Sequence, residues 1–369
     1  MLLFTPGPTP VSEEIRLEMA KPTIHHRTSE FEAYFAQAQK KLKELLKMPE
    51  VLMLASSGSG AMEACVLGLC SKKLLSINSG KFGERFGKIA KAYAIENVEI
   101  KNNWDTPVSV EEVLDILQKN PEIDALSIQV CESAGGLRHP VEEVARAVKN
   151  FNPDIMVIVD AITAMGVEEI DVIHIDALIG GSQKAFMLPP GMSIIGLSQK
   201  GIQKVEQRNI GFYFNLKTEL KNQRANTTAW TAPTTLVIGL VKYFEQVESI
   251  GGIQTIYAHT KKRAIATQSA LVSIGMKIYP KKPALAMTTI FNETYASDIR
   301  KVLKSDFDVN VAGGQDELKT SILRINHMGI IAINEALWVV NAIELALDKL
   351  GIRKFDGQAN IVFLQNYFA

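Results

Sequence analysis

Seven short apolar runs, separated by segments of helical period, leave few folds open to this sequence. Val51–Ala55, Lys73–Asn78, Val98–Lys101, Ala125–Val130, Ile155–Asp160, Ala177–Gly181 and Ser193–Leu197 have the length of strands. Several are apolar at nearly every position, the pattern of strands covered on both faces. Between them Met62, Cys65, Val66 and Leu69 fall at i, i+3, i+4 and i+7, and Val110–Leu117 and Val141–Val148 fit the same period. This alternation predicts an α/β fold with a mostly parallel sheet of about seven strands covered by helices. Ligands bind such sheets at the carboxyl ends of the strands, so the residues that follow each run are the candidates for chemistry.

After about residue 225 the rhythm changes. Long helical patterns cover Thr234 to Ile250 and Ile253 to Ile274. A smaller alternation follows: Ala286–Phe291, a helix near Ser297–Leu303, Val309–Val311, Ser321–Ile325, and a helix Ile333–Leu350 stopped by Gly351. The expected organisation is a large domain over 1–254 and a smaller α/β domain over 255–369, in keeping with roughly 150 residues per domain. The tail from Asp356 to Ala369 carries no interpretable motif.

Forty basic and forty acidic side chains cancel, which argues against a general electrostatic hold on nucleic acid or an anionic membrane. No run approaches the ~20 apolar residues of a membrane span. Asp160 and Thr163 interrupt Ile155–Val167, and Asn334, Glu335, Asn341 and Glu344 interrupt Gly329–Leu347. The opening MLLFTPGPTP has no basic lead and reaches prolines too early for a signal peptide. Three cysteines, Cys65, Cys70 and Cys131, make no disulfide framework in so long a chain. A soluble, cytoplasmic protein is expected.

Three strand ends carry candidate chemistry. Ser56-Ser57-Gly58-Ser59-Gly60-Ala61-Met62-Glu63 follows the first run and opens a helix. Small residues there let backbone N–H groups approach an anion. The stretch is no Walker loop, and Glu63 breaks the dinucleotide GxGxxG. It reads equally as a phosphate cradle or as a turn with a Ser cap. Asp160 ends the run Val157-Ile158-Val159, either as a cap or as a carboxylate holding a ring nitrogen in its protonated form. Lys184, in Gly180-Gly181-Ser182-Gln183-Lys184-Ala185, is a solvated surface amine or a desolvated nucleophile toward an aldehyde. Taken together, a phosphate cradle, a strand-end aspartate and a strand-end lysine match the needs of pyridoxal 5'-phosphate.

With these residues the sequence resembles the class V, fold type I aminotransferases, in particular the alanine–glyoxylate and serine–pyruvate subgroup. Phe4-Thr5-Pro6-Gly7-Pro8-Thr9-Pro10 is similar to that subgroup's opening signature, and His26-Arg27 followed by Glu30-Phe31 also matches. The resemblance implies that Ser57, Gly58 and Ser59 bind the cofactor phosphate and that Phe82 stacks on the pyridine ring. Ser133 would contact the ring oxygen or nearby polar atoms, Asp160 the ring nitrogen, and Gln183 the region of ring and phosphate. Lys184 would carry the Schiff base, and Arg324 would grip the substrate carboxylate with a two-pronged fork. Gly7 and His26 would lie on the substrate side. Thr231, and Thr228 where many relatives have a tyrosine, would reach the phosphate of the neighbouring subunit, so a homodimer with shared sites is implied. The implied reaction is ping-pong transamination between alanine or serine and glyoxylate or pyruvate.

The same scaffold leaves rivals open. A cysteine desulfurase places a histidine where Gln183 stands and uses a late cysteine, whereas none follows Cys131. A 2-aminoethylphosphonate–pyruvate transaminase would present a phosphonate to the same arginine. A non-catalytic binding protein is the third alternative, against which Lys184 and Asp160 both stand in place. No metal is expected, because neither HExxH nor paired CxxC spacing occurs and His25 and His26 are merely adjacent.

Overall fold

The computed structural model describes residues 1–369. The chain opens with β1 (Leu2–Phe4), α1 (Glu13–Met19) and α2 (Ser29–Leu46). The alternation then runs β2 (Glu50–Leu54), α3 (Gly58–Leu69), β3 (Lys73–Asn78), α4 (Lys81–Ala92), β4 (Glu96–Lys101), α5 (Val110–Lys119) and β5 (Ile123–Gln129). A small hairpin of β6 (Cys131–Glu132) and β7 (Leu137–Arg138) precedes α6 (Val141–Phe151), β8 (Met156–Asp160), β9 (Ala177–Gly181) and β10 (Ser193–Leu197). Four helices follow, α7 (Gln199–Gln207), α8 (Leu216–Gln223), α9 (Thr234–Ser249) and α10 (Ile253–Ser273). The remainder is β11 (Lys277–Ile278), β12 (Met287–Phe291), α11 (Ala296–Asp306), β13 (Val309–Val311), β14 (Ile322–Asn326), α12 (Ile333–Lys349) and α13 (Gln358–Phe368).

The main sheet has seven strands in the order β2-β10-β9-β8-β5-β3-β4. β10 runs antiparallel to both its neighbours, and every other pairing is parallel. Each strand residue serves one of two cores. On β8, Val157 and Val159 face the core built with α2, α5, α6 and α9, while Met156 and Ile158 face the core built with α3, α4, α7 and α8. Successive side chains of a strand point to opposite faces, so a strand covered twice must be apolar throughout. β4, at the sheet edge, is covered least, and its exposed Glu96, Glu99 and Lys101 hide a strand that starts two residues before the apolar run.

The later part has its own antiparallel sheet, β11-β12-β14, and its own core between α10, α11, α12 and α13. The first strand of the chain, β1, pairs in parallel with β13. From there residues 5–9 cross directly to the end of β9, which carries the chain's N-terminus over the large sheet. The tail that held no sequence motif is α13, packed on α10 through buried Ala359 and Phe363 at i and i+4.

Candidate active site

Parallel strands of one sheet end on one side, and here five of them deliver the chemistry. β2 leads into Ser56–Gly60, β3 into Ser79–Phe82, and β5 into Val130–Ser133; β8 ends on Asp160, and β9 leads to Ser182–Lys184. Asp160 pairs with Ile179 across β8 and β9, and Gln129 of β5 stands opposite Asp160 on the other side.

Lys184 is held by the N-terminal segment. Its Nζ donates to Pro6 O at 2.5 Å, and its carbonyl accepts from Thr9 Oγ1 at 2.7 Å. Thr9 N–H also bonds Gln183 O at 3.0 Å. Gly7, with φ +111°, lies against the lysine chain so closely that a methyl group there would collide with Nζ. Burial pushes the Lys184 amine down to about 8, opposed by Cys131 and Asp160 and aided by Arg324. Asp160 is buried and receives one hydrogen bond, from Ile162 N at 2.9 Å. Burial pushes its carboxyl up to about 6, against that bond and the charges of Lys184 and Arg85. A carboxylate so placed gains most from a cationic partner.

Ser57 caps α3 with extended backbone and no side-chain bond to the helix, leaving its hydroxyl exposed. Gly58 and Gly60 are buried, pressed against Ile162 and Phe214, so the first turn of α3 tolerates no side chain there. Ser59 Oγ accepts from Arg85 Nη1 at 2.7 Å, and the same guanidinium lies 4.7 Å from the centre of the Phe82 ring. Arg85 went unnoticed in the sequence, although it stands three residues after Phe82 on one helix face.

Arg324 sits mid-strand on β14 and is 8% exposed. Both guanidinium hydrogen bonds go to carbonyl oxygens, Nε to Gly313 O at 2.8 Å and Nη1 to Ser133 O at 2.6 Å. Nη2 takes no part in either, and burial holds the group below its ordinary pKa. Ser133 is buried beside it and serves Arg324 through its carbonyl.

The fold thus brings Gly7, Ser57, Gly58, Ser59, Phe82, Ser133, Asp160, Gln183, Lys184 and Arg324 to one end of the sheet and its junction with β14. No hydrogen bond or ion pair ties His26 to this group: its ring lies tilted against that of His25, 4.6 Å between centres, on the stretch before α2. Thr228 Oγ1 is turned to its own chain, donating to Trp230 O at 2.5 Å. Thr231 is exposed in a patch with Tyr213, Phe214 and Trp230.

The donor set fits a phosphorylated pyridine aldehyde. Gln183 Oε1 is buried without a partner, and the Asp160 carboxylate takes a single hydrogen bond and so retains acceptor capacity for a protonated ring nitrogen. Ser57 leaves the start of α3 without a side-chain cap, where a phosphate would be favoured. Fold and site together define a pyridoxal 5'-phosphate enzyme of fold type I. Residues 10–333 match the description "Aminotransferase class-V", and the chain belongs to that family. It is similar over its whole length to an uncharacterized aminotransferase of Helicobacter pylori, strain ATCC 700392 / 26695, at 56% identity and with 100% of both chains covered. A serine–glyoxylate aminotransferase of Hyphomicrobium methylovorum is 26% identical, covering 95% of this chain and 90% of its own. Among solved structures, an aspartate aminotransferase of subgroup IV from Thermus thermophilus superimposes with a TM-score of 0.88 at 28% identity, over 95% of this chain and 99% of its own.

Proposed function

We propose that this aminotransferase moves the amino group of a small amino acid, alanine or serine, to glyoxylate or pyruvate. The observation that carries the reading is Arg324, a buried fork without a carboxylate partner, close enough to Lys184 for the two charges to act on each other. A guanidinium in that state is built to receive a carboxylate. When bound, pyridoxal phosphate supplies an aldehyde and an electron-withdrawing ring that accepts the electron pair left when Cα loses its proton. Asp160 would keep the proton on the ring nitrogen, and Phe82 would cover the ring face. The N–H groups of Ser57, Gly58 and Ser59 and the two serine hydroxyls would hold the phosphate, with Gln183 beside them. Lys184 Nζ, as a neutral amine, would hold the cofactor's aldehyde and, when free of it, would serve as the base that takes the proton from Cα. Pro6 O and Gly7 keep that amine from swinging away.

Exposed Phe212, Tyr213 and Thr231, packed about the half-buried Trp230, support a two-fold dimer in which this patch closes the partner's site. Three unpaired, buried cysteines support a cytoplasmic location, and no helix is long and apolar enough to cross a membrane. Burial pushes the thiols of Cys65 and Cys131 well above the ordinary range, which speaks against cysteine desulfuration.

The test is a half-reaction screen following loss of the bound cofactor's yellow absorbance with alanine, serine, aspartate and 2-aminoethylphosphonate. Alanine or serine should bleach it fastest, and full turnover should give parallel double-reciprocal lines. A response confined to 2-aminoethylphosphonate or to aspartate would reassign the donor, and intersecting lines would reject the two-step scheme.

A further inference from the structure

Glu132 is a fully buried carboxyl at the site to which the reaction above gives no task. It stands on β6, one residue before Ser133, and both its oxygens accept from backbone N–H groups. Oε2 takes Phe82 and Gly83, each at 2.9 Å, and Oε1 takes Ala134 at 3.0 Å. The first two bonds cap α4, whose own N-cap is Gly80 and offers no side chain. Gly80 is bare where the carboxylate passes, since a methyl group there would lie 2.6 Å from Glu132 Cδ. The third bond shapes the β6–β7 turn, in which Gly136 N–H returns to Glu132 O at 2.9 Å. One residue on, Ser133 O receives Arg324 Nη1.

Two devices meet in this dipeptide. The side chain of Glu132 fixes the helix that presents Phe82, and the carbonyl of Ser133 fixes the guanidinium of Arg324. A carboxylate suits the position because every partner is a donor, and a helix start favours negative charge. We propose that Glu132 is a positioning residue for the transamination, locking the ring-covering Phe82 and the carboxylate-gripping Arg324 into one register. The inference rests on the roles given to Phe82 and Arg324 in the proposed function.

Glu132→Gln separates the two tasks. The amide oxygen still accepts from the α4 pair, but the amide nitrogen now faces Ala134 N–H, donor against donor. Gly80→Ala displaces the same side chain from the other side without changing its charge, so the inference does not depend on one variant folding. Ser109→Ala, which removes the capping box of α5 away from the site, serves as a variant of comparable destabilisation. The apoenzyme of each is titrated with pyridoxal 5'-phosphate by absorbance, and KM and kcat for the amino donor are measured beside Arg324→Lys and the double variant.

Losing a hydrogen bond to a charged group should raise KM about 10- to 100-fold in Glu132→Gln and Gly80→Ala, with kcat changed less. Arg324→Lys should add little once Glu132 is changed. The apparent Kd for the cofactor should rise several-fold in Gly80→Ala, which disturbs the α4 bonds, change less in Glu132→Gln, which keeps them, and stay put in Ser109→Ala. Unchanged KM and cofactor Kd with only a lower Tm, or effects of Glu132→Gln and Arg324→Lys that simply multiply, would overturn the inference. A wild-type protein that binds the cofactor but turns over no amino donor would instead sink the proposed function, and the cofactor titrations would still decide the role of Glu132 toward Phe82.

Discussion

Lys184 shows how much of this site resides in one side chain and its surroundings. Desolvation favours the neutral amine, and the depressed value of about 8 puts a useful fraction of nucleophile in the neutral range. In the cofactor-free protein, borohydride-trapped labelling of Lys184 by pyridoxal 5'-phosphate should rise with pH through about 8; a rise centred near the ordinary ~10.4 would contradict the buried setting. The sign for stability follows. Between about 8 and the unfolded ~10.4 the unfolded chain binds the extra proton, so this group makes stability increase with pH in that window. Asp160 acts the other way. Its carboxyl titrates near 6 when folded and near ~3.9 unfolded, so the folded chain holds the extra proton and stability falls as pH rises between them. The placement of both residues was legible because each ends or follows a buried strand. Glu132 and Arg85 were not legible, because what distinguishes them is a partner 50 or 26 positions away.

Among the elements, those buried on both faces read most clearly. β3, β9 and β10 have the bounds their apolar runs announce, as does the short β13, whose Asn310 is only half-buried. α1, α2, α4, α7, α8 and α13 have no counterpart in the sequence pattern: α4, for one, follows Gly80 and carries Gly83 and Gly87, which dilute a helical period. The N-terminal segment is the element with the largest functional leverage for its size. β1 anchors it on β13, and Pro6, Gly7 and Thr9 then clasp Lys184 and Gln183. Gly7→Ala introduces a side chain at φ +111° and into the lysine at once. A cost of about 1–3 kcal/mol in thermal unfolding is expected, with weakened cofactor binding by absorbance titration. Unaltered binding in a folded Gly7→Ala protein would show that the clasp does not constrain the amine.

For the molecule as a whole, we propose that 1–254 and 255–369 act as two units meeting at Arg324, the first supplying the cofactor site and the second the substrate fork. The 78% exposure of Phe212 beside Trp230 is costly unless a second copy covers it. Sedimentation should report twice the mass of the chain, and Trp230→Ala should loosen the dimer while weakening the hold on the cofactor phosphate. A fully active single chain would reject the shared site. By itself the sequence determined the layered α/β architecture, because strands covered on both faces must be apolar and the helices between them must repeat every three to four residues. It also marked Lys184 and Asp160, because their position along the chain places them at strand ends. Only the tertiary structure decided which distant groups meet: Pro6 on Lys184, Arg85 on Ser59, and Glu132 between Phe82 and Arg324. Such pairings depend on strand order and on where turns bring backbone N–H and C=O groups, which local periodicity does not encode.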